Sequence, residues 1–174
     1  MDMELEEVLK SVKRHRKFSS EPIREESLRR ILKLAKKAPS PGGNLPLRLI
    51  ILRDDEVKRR VAEACGKRRF FAEAPVVMVA VAIPDEAEPF MGGYANSFPL
   101  DAAAALTVIT LVAGEEGLGT NWTLQFKDEK IKELLGIPEE MHVVGVSPLG
   151  YPEDEGERYS SSPADMVFYG EWEE

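Results

Sequence analysis

Apolar positions recur at helical spacing near the start of the chain. Leu5, Val8, Leu9 and Val12 predict a first helix over residues 4–14 with a narrow apolar stripe. Phe18 to Ile23 read as a turn into a second helix over about 24–37, its buried face carrying Leu28, Ile31, Leu32 and Ala35. Pro39 and Pro41 stop that helix, and Gly42-Gly43-Asn44 opens a loop. Leu47–Arg53 is apolar and β-branched enough for a strand, and a third helix over 55–65 would turn Val57, Val61 and Ala64 inward. Pro75–Ile83 is a continuous apolar run between prolines, the pattern of a strand covered on both faces. Residues 84–97, rich in proline, glycine and acid, read as a mobile loop or lid.

Ala102 to Ala105 lie in a predicted helix over 98–115, whose small side chains let another backbone approach closely. That suits a central helix, in a monomer or at an interface. Asp128 is the expected N-cap of the next helix, with Ile131, Leu134 and Leu135 inward and Gly136 at its end. His142–Leu149 is the last strong strand. The tail, 153–174, has little periodicity but carries Met166, Val167, Phe168, Tyr169 and Trp172, apolar residues that need a surface in this subunit or a partner's. No internal repeat occurs. The alternation predicts one α/β or α+β layered domain over 1–174.

Composition narrows the function classes. At 174 residues, with 43% hydrophobic and 31% charged, the chain can bury a sizeable core. A net charge of −8 argues against nucleic acid or an anionic membrane as the main partner. Against that background Lys10, Lys13, Arg14, Arg16 and Lys17 crowd around His15, either as an anion holder or as a solvated helix end. Cys65 is the single cysteine, so an intrachain disulfide is excluded and a reducing compartment is expected. Two histidines and one cysteine give no metal-ligand spacing. The acidic N-terminus is unlike a signal peptide, and the uninterrupted apolar runs fall short of the ~20 residues that span a bilayer, so a cytoplasmic protein is expected.

Gly117-Leu118-Gly119 follows a helix and lacks the GxGxxG form, so a dinucleotide fold of the Rossmann type is not indicated; a helix C-cap accounts for the glycines equally. GxSxG, P-loop and kinase signatures are absent. His142 at a strand start reads as structural.

Five blocks, taken in order, resemble the FMN-dependent nitroreductases. A basic block of the form RRSxRxF is anchored by Phe18, so Arg16 matches its last arginine and Lys13 its second, while Val12 and Arg14 stand where arginine and serine are usual. Ala38-Pro39-Ser40 with Asn44 is similar to APSxxNxQPW, with Leu45 and Leu47 replacing glutamine and tryptophan. The alanine-rich helix into Gly117-Leu118-Gly119, then Leu124 and Gln125, resembles the AxxxGLG block and the turn whose backbone reaches the flavin N5. Leu134-Leu135-Gly136-Ile137-Pro138 followed by Leu149-Gly150-Tyr151-Pro152 is the most recognisable signature. Arg158 is the candidate for the C-terminal basic residue, and Ser161-Ser162-Pro163 replaces the usual basic–proline pair.

The resemblance implies a three-layer fold with a central mixed, mainly antiparallel sheet flanked by helices. It implies a homodimer, with the C-terminal tail (about 153–174) packing on the dimer partner. The implied activity is FMN-dependent NAD(P)H oxidoreduction of nitroaromatic, quinone or similar acceptors by a ping-pong mechanism. The implied cofactor-binding residues are Lys13, Arg14, Arg16, Pro39, Ser40, Asn44, Gly119, Leu124, Gln125 and Arg158; no side chain acts as a nucleophile and no metal is called for. Two alternatives stay open: a protein of this fold whose FMN site is weakened or lost, and a flavin-consuming or dehalogenating relative.

Overall fold

The computed structural model of the chain describes residues 4–40, 42–91, 94–159 and 168–170. Its centre is β3 (Val76–Ala82), in which all seven residues are buried. Strand geometry sends alternate side chains to opposite faces, and the two faces meet different helices. Val76, Met78 and Ala80 join a core with Leu28, Ile31, Leu106 and Ile109, from α2 (Glu25–Ala35) and α5 (Phe98–Glu115). Val77, Val79 and Val81 join a second core with Val61, Phe71 and Ile131, from α3 (Asp55–Ala64), α4 (Arg69–Glu73) and α6 (Asp128–Leu135). Each valine, leucine, isoleucine, methionine or phenylalanine among them contributes ~1.5–3 kcal/mol on burial. Three layers result.

The six-stranded sheet runs β2-β3-β7-β6-β1-β8. β2 (Leu47–Leu52), β3 and β7 (His142–Gly150) are long and antiparallel. Beyond β7 the sheet narrows to two-residue pieces: β6 (Gly119–Thr120), β1 (Lys13–Arg14) and β8 (Glu157–Arg158). β1 is parallel to β6 and antiparallel to β8, so the sheet is mixed but mainly antiparallel.

Close approach of α5 to the sheet demands glycine at position 145. A Cβ at Gly145 would lie 2.7 Å from Leu106 Cδ1, so its absence lets α5 settle against β7. At the far end of α5, Leu118 N–H donates to Ala113 O at 2.8 Å and Gly117 N–H to Gly114 O at 3.1 Å. Gly117 there has φ +73°. This is a Schellman stop, which accounts for Gly117 as a cap. The same end is tied to α2: Glu116 accepts from Ser27 Oγ at 2.6 Å and Arg30 at 2.8 Å, and Glu115 from Arg30 at 2.7 Å. The two glutamates, Glu115 first, hold the Arg30 guanidinium above its ordinary pKa.

Several local expectations change. α1 covers Leu5–Ser11, shorter than 4–14, because residues 13–14 leave the helix to enter the sheet. Its stripe is only partly buried: Val8 packs inward, whereas Leu5 and Leu9 are 67% and 57% exposed. Asp128 is not the N-cap of α6; Lys127 is, and Asp128 instead accepts from Val143 N at 3.2 Å and pairs with Lys132 at 2.8 Å. Residues 84–97 are not structureless. They hold a 3₁₀ turn at Pro84–Glu86 and a hairpin of β4 (Phe90–Met91) and β5 (Tyr94–Ala95). Asn96, at φ +69°, pins that hairpin by donating to Pro84 O at 3.0 Å and accepting from Phe98 N at 3.2 Å.

α5 is long and apolar enough to cross a membrane by length and composition, although no uninterrupted apolar run is; 44% of it is buried inside the protein. The near part of the tail pairs with this chain's own β1 through β8. Ser161, Ser162, Pro163, Met166, Val167 and Trp172 lie outside the described residues.

Candidate functional site

The narrow end of the sheet collects cations from both ends of the chain. β1 is placed between β6 and β8, with Arg14 in register with Thr120 and with Glu157, and Lys13 opposite Arg158. Lys13 Nζ donates to Glu155 O at 2.7 Å. The Arg14 guanidinium lies 5.5 Å from the centre of the Tyr159 ring, a cation–π distance. Arg14 and Arg16 converge on one carboxylate, that of Glu157, at 3.4 and 3.3 Å. All three side chains are about half exposed, so the pairs add little to stability. Their geometry matters more: two guanidiniums are spaced to hold a single oxyanion. A phosphate monoester presents the same acceptor to the same donors, so the residues present fit the phosphate of FMN.

Beside this edge lies an open cleft of about 630 Å³. Leu9, Val12, Leu111, Trp122 and Tyr159 give it apolar walls, and Lys10 and Arg158 its cationic rim. Trp122 also borders a smaller cleft of about 380 Å³ with Leu106, Leu124 and Phe126, so the same residue lines both. An apolar cleft with cations at one end suits a flat aromatic group carrying a phosphate tail.

The structure therefore brings together Lys13, Arg14, Arg16, Gly119 and Arg158. The remaining predicted residues lie elsewhere. Leu124 and Gln125 occupy the turn after β6, held by the bridge of Thr123 to Val146. Leu124 is 65% exposed, and Gln125 accepts from Arg68 at 2.5 Å. Pro39, Ser40 and Asn44 sit on the loop entering β2, at the opposite edge of the sheet. That loop is braced on itself, Ser40 Oγ donating to Asn44 O and Gly43 N to Ser40 O at 3.0 Å.

Four residues escape sequence reasoning. Trp122 and Arg68 are two; the Lys67-Arg68-Arg69 run, ahead of an apolar strand, was the available signal for Arg68. The others are His15 and Asp154. His15 Nδ1 lies 2.6 Å from Asp154 Oδ1, and Asp154 Oδ2 accepts from Arg16 N at 2.7 Å and Lys17 N at 3.1 Å. Burial alone would raise the Asp154 carboxyl, but the Arg16 amide, His15 and the Lys17 amide outweigh it and hold it below its usual range. The imidazole is 8% exposed and fits between two glycines: a Cβ at Gly119 would meet it at 2.7 Å, and one at Gly156 at 2.6 Å. Gly119 thus has a packing reason to be glycine. The buried Cys65 thiol, pushed up to about 12 by burial, is unsuited to nucleophilic work.

Comparison with known proteins agrees with the fold. The nitroreductase family model matches residues 10–69 and 63–151. A candidate NADH dehydrogenase/NAD(P)H nitroreductase of Archaeoglobus fulgidus is 33% identical over 165 residues, covering 90% of this chain and 92% of its own. A nitroreductase family protein of Clostridium novyi NT superposes with TM-score 0.83 at 35% identity over 87% of each chain. An FMN-dependent nitroreductase of Clostridium difficile R20291 superposes with TM-score 0.80 at 26% identity over 95% of this chain and 98% of its own.

Proposed function

The chain belongs to the nitroreductase family, and on that premise we propose that it is an FMN-dependent NAD(P)H oxidoreductase acting on nitroaromatics, quinones or similar acceptors. The observation that carries this reading is the convergence of Arg14 and Arg16 on one carboxylate, with Lys13 and Arg158 in register beside them. Bound FMN would supply the redox chemistry, taking a hydride from NAD(P)H and returning two electrons to the acceptor. Lys13, Arg14, Arg16 and Arg158 would hold its phosphate, and Trp122, Val12 and Leu111 would shield its ring system from water. Arg68, at the start of α4, donates to Gln125 on the turn after β6, and would offer positive charge to a reduced ring bound there. The donor and the acceptor would use one cleft in turn, which gives ping-pong kinetics.

A second copy of the chain is the expected cover for the face of α1 and α5, where Leu5, Leu9 and Leu100 are 67%, 57% and 56% exposed. It would also bring a Ser40–Asn44 loop to a site that one subunit holds at the opposite sheet edge. Protein loaded with FMN and mixed anaerobically with NADH or NADPH should lose its yellow colour. Protein that takes up no FMN, or holds FMN that neither nucleotide bleaches, would reject the reading. Glu157 favours one second reading, since it already occupies Arg14 and Arg16: a protein of this fold whose cofactor site is weakened. Colour on purification separates the two.

A further inference from the structure

We propose that Asp154 is a positioning residue of the cation edge, fixing the strand that offers Lys13, Arg14 and Arg16 to an anion, on the reading of that edge as the FMN phosphate site. One carboxylate gathers three donors: the His15 ring at 2.6 Å and the amides of Arg16 and Lys17 at 2.7 and 3.1 Å. An ionised carboxylate can only accept, which places the proton on His15 Nδ1. Next to Asp154, Glu153 N donates to Lys17 O at 3.0 Å. The β6 side of the segment is tied as well: Asn121 Nδ2 donates to His15 O at 2.9 Å and His15 N to Thr120 O at 3.1 Å.

Residues 15–17 are therefore clamped from both sides, and the clamp is electrostatic at its centre. Lys13, Arg14, Arg16, Lys17 and Arg158 repel one another around it, with Glu155 and Glu157 as the other nearby anions. Asp154 differs from Glu157, which is about half exposed and paired to guanidinium tips. Its bonds go to the backbone and to a buried ring, so it sets where β1 lies without occupying the anion's place. Glycines flank the ring on either side, where a Cβ would meet it at 2.7 Å (Gly119) or 2.6 Å (Gly156).

An amide in place of this carboxylate offers one acceptor oxygen to three donors and adds donors of its own. Asp154→Asn should therefore lower FMN affinity about tenfold while changing riboflavin affinity less than about twofold, because riboflavin has no phosphate for the displaced cations to miss. His15→Asn keeps an N–H near the Nδ1 position and should therefore retain most of the preference for FMN over riboflavin. Flavin titrations by fluorescence, with thermal melts alongside, read all of this. Equal losses for FMN and riboflavin in Asp154→Asn, or an unchanged ratio, would overturn the assignment while leaving the FMN reading standing. A wild-type protein that binds neither flavin would overturn the function itself and this role with it. Should Asp154→Asn fail to fold, Asp154→Glu keeps the charge but displaces it by a methylene, and the same selective loss is expected.

Discussion

Lys13 and Arg158 face each other across the antiparallel β1–β8 pair, two cations in one register. Like charges directly opposite weaken a strand pair, by roughly 0.2–1 kcal/mol. An arrangement that costs stability in the free protein gains it back when an anion bridges the pair. Arg158→Gln should therefore make the flavin-free protein slightly harder to unfold in urea and lower its FMN affinity about tenfold. Changes of the same sign in both measurements would contradict this account.

Glu157 is held by Arg14 and Arg16, and on the proposed reading an incoming phosphate would have to displace it. Glu157→Gln removes the competing charge and should tighten FMN binding by a few fold, with riboflavin binding unaltered. Since the groups are half exposed, raising salt should shrink the difference between variant and wild type. Weaker FMN binding in Glu157→Gln would show that the carboxylate organises the guanidiniums and does not compete for them.

The exposed leucines of α1 and α5 give a test of assembly. Leu5→Glu places a charge where a second copy is expected to pack, outside the cleft walls, so the variant should sediment as a monomer and bind FMN poorly. The wild type should sediment as a dimer. A wild type found as a folded monomer with full flavin content would remove the dimer from the proposal.

Acid stability should depend on Glu116. The hydrogen bond from Ser27, against the opposing effect of burial and with help from Arg30 and Arg24, holds this carboxyl below its usual value of 4.5. A lowered folded-state pKa gives stability that is present above the unfolded value and is lost as pH falls through the folded one. Glu116→Gln should melt below the wild type at neutral pH, and the gap should close on acidification below about pH 4. A gap that persists unchanged in acid would place the effect in packing and not in the charge.

The longer helices and the three long strands were readable because each extends over enough residues to show a pattern, whereas the five-residue α4 was not foreseen. β3 announced itself as an unbroken apolar run, and α5 by its alanines. β1, β6 and β8 have two residues each and show no period, and they are in the sheet only because distant segments supply their partners. The cations of the candidate site were found from family spacing at Lys13, Arg14, Arg16 and Arg158. Asp154 was not, since a single acid in an acidic loop looks solvated until its three donors are seen. Asp128 shows the reverse error: it satisfies the local rule for a cap, yet Val143 claims its carboxylate from across the layer.

The tie from Lys13 to Glu155 closes a sequence separation of 142 residues. On a ribosome Lys13 is made 142 residues before Glu155, and until β8 follows, β1 has no antiparallel neighbour on its outer side. On the proposed reading, a chain cut between the two would lack one wall of the phosphate site, whatever its helices had already achieved.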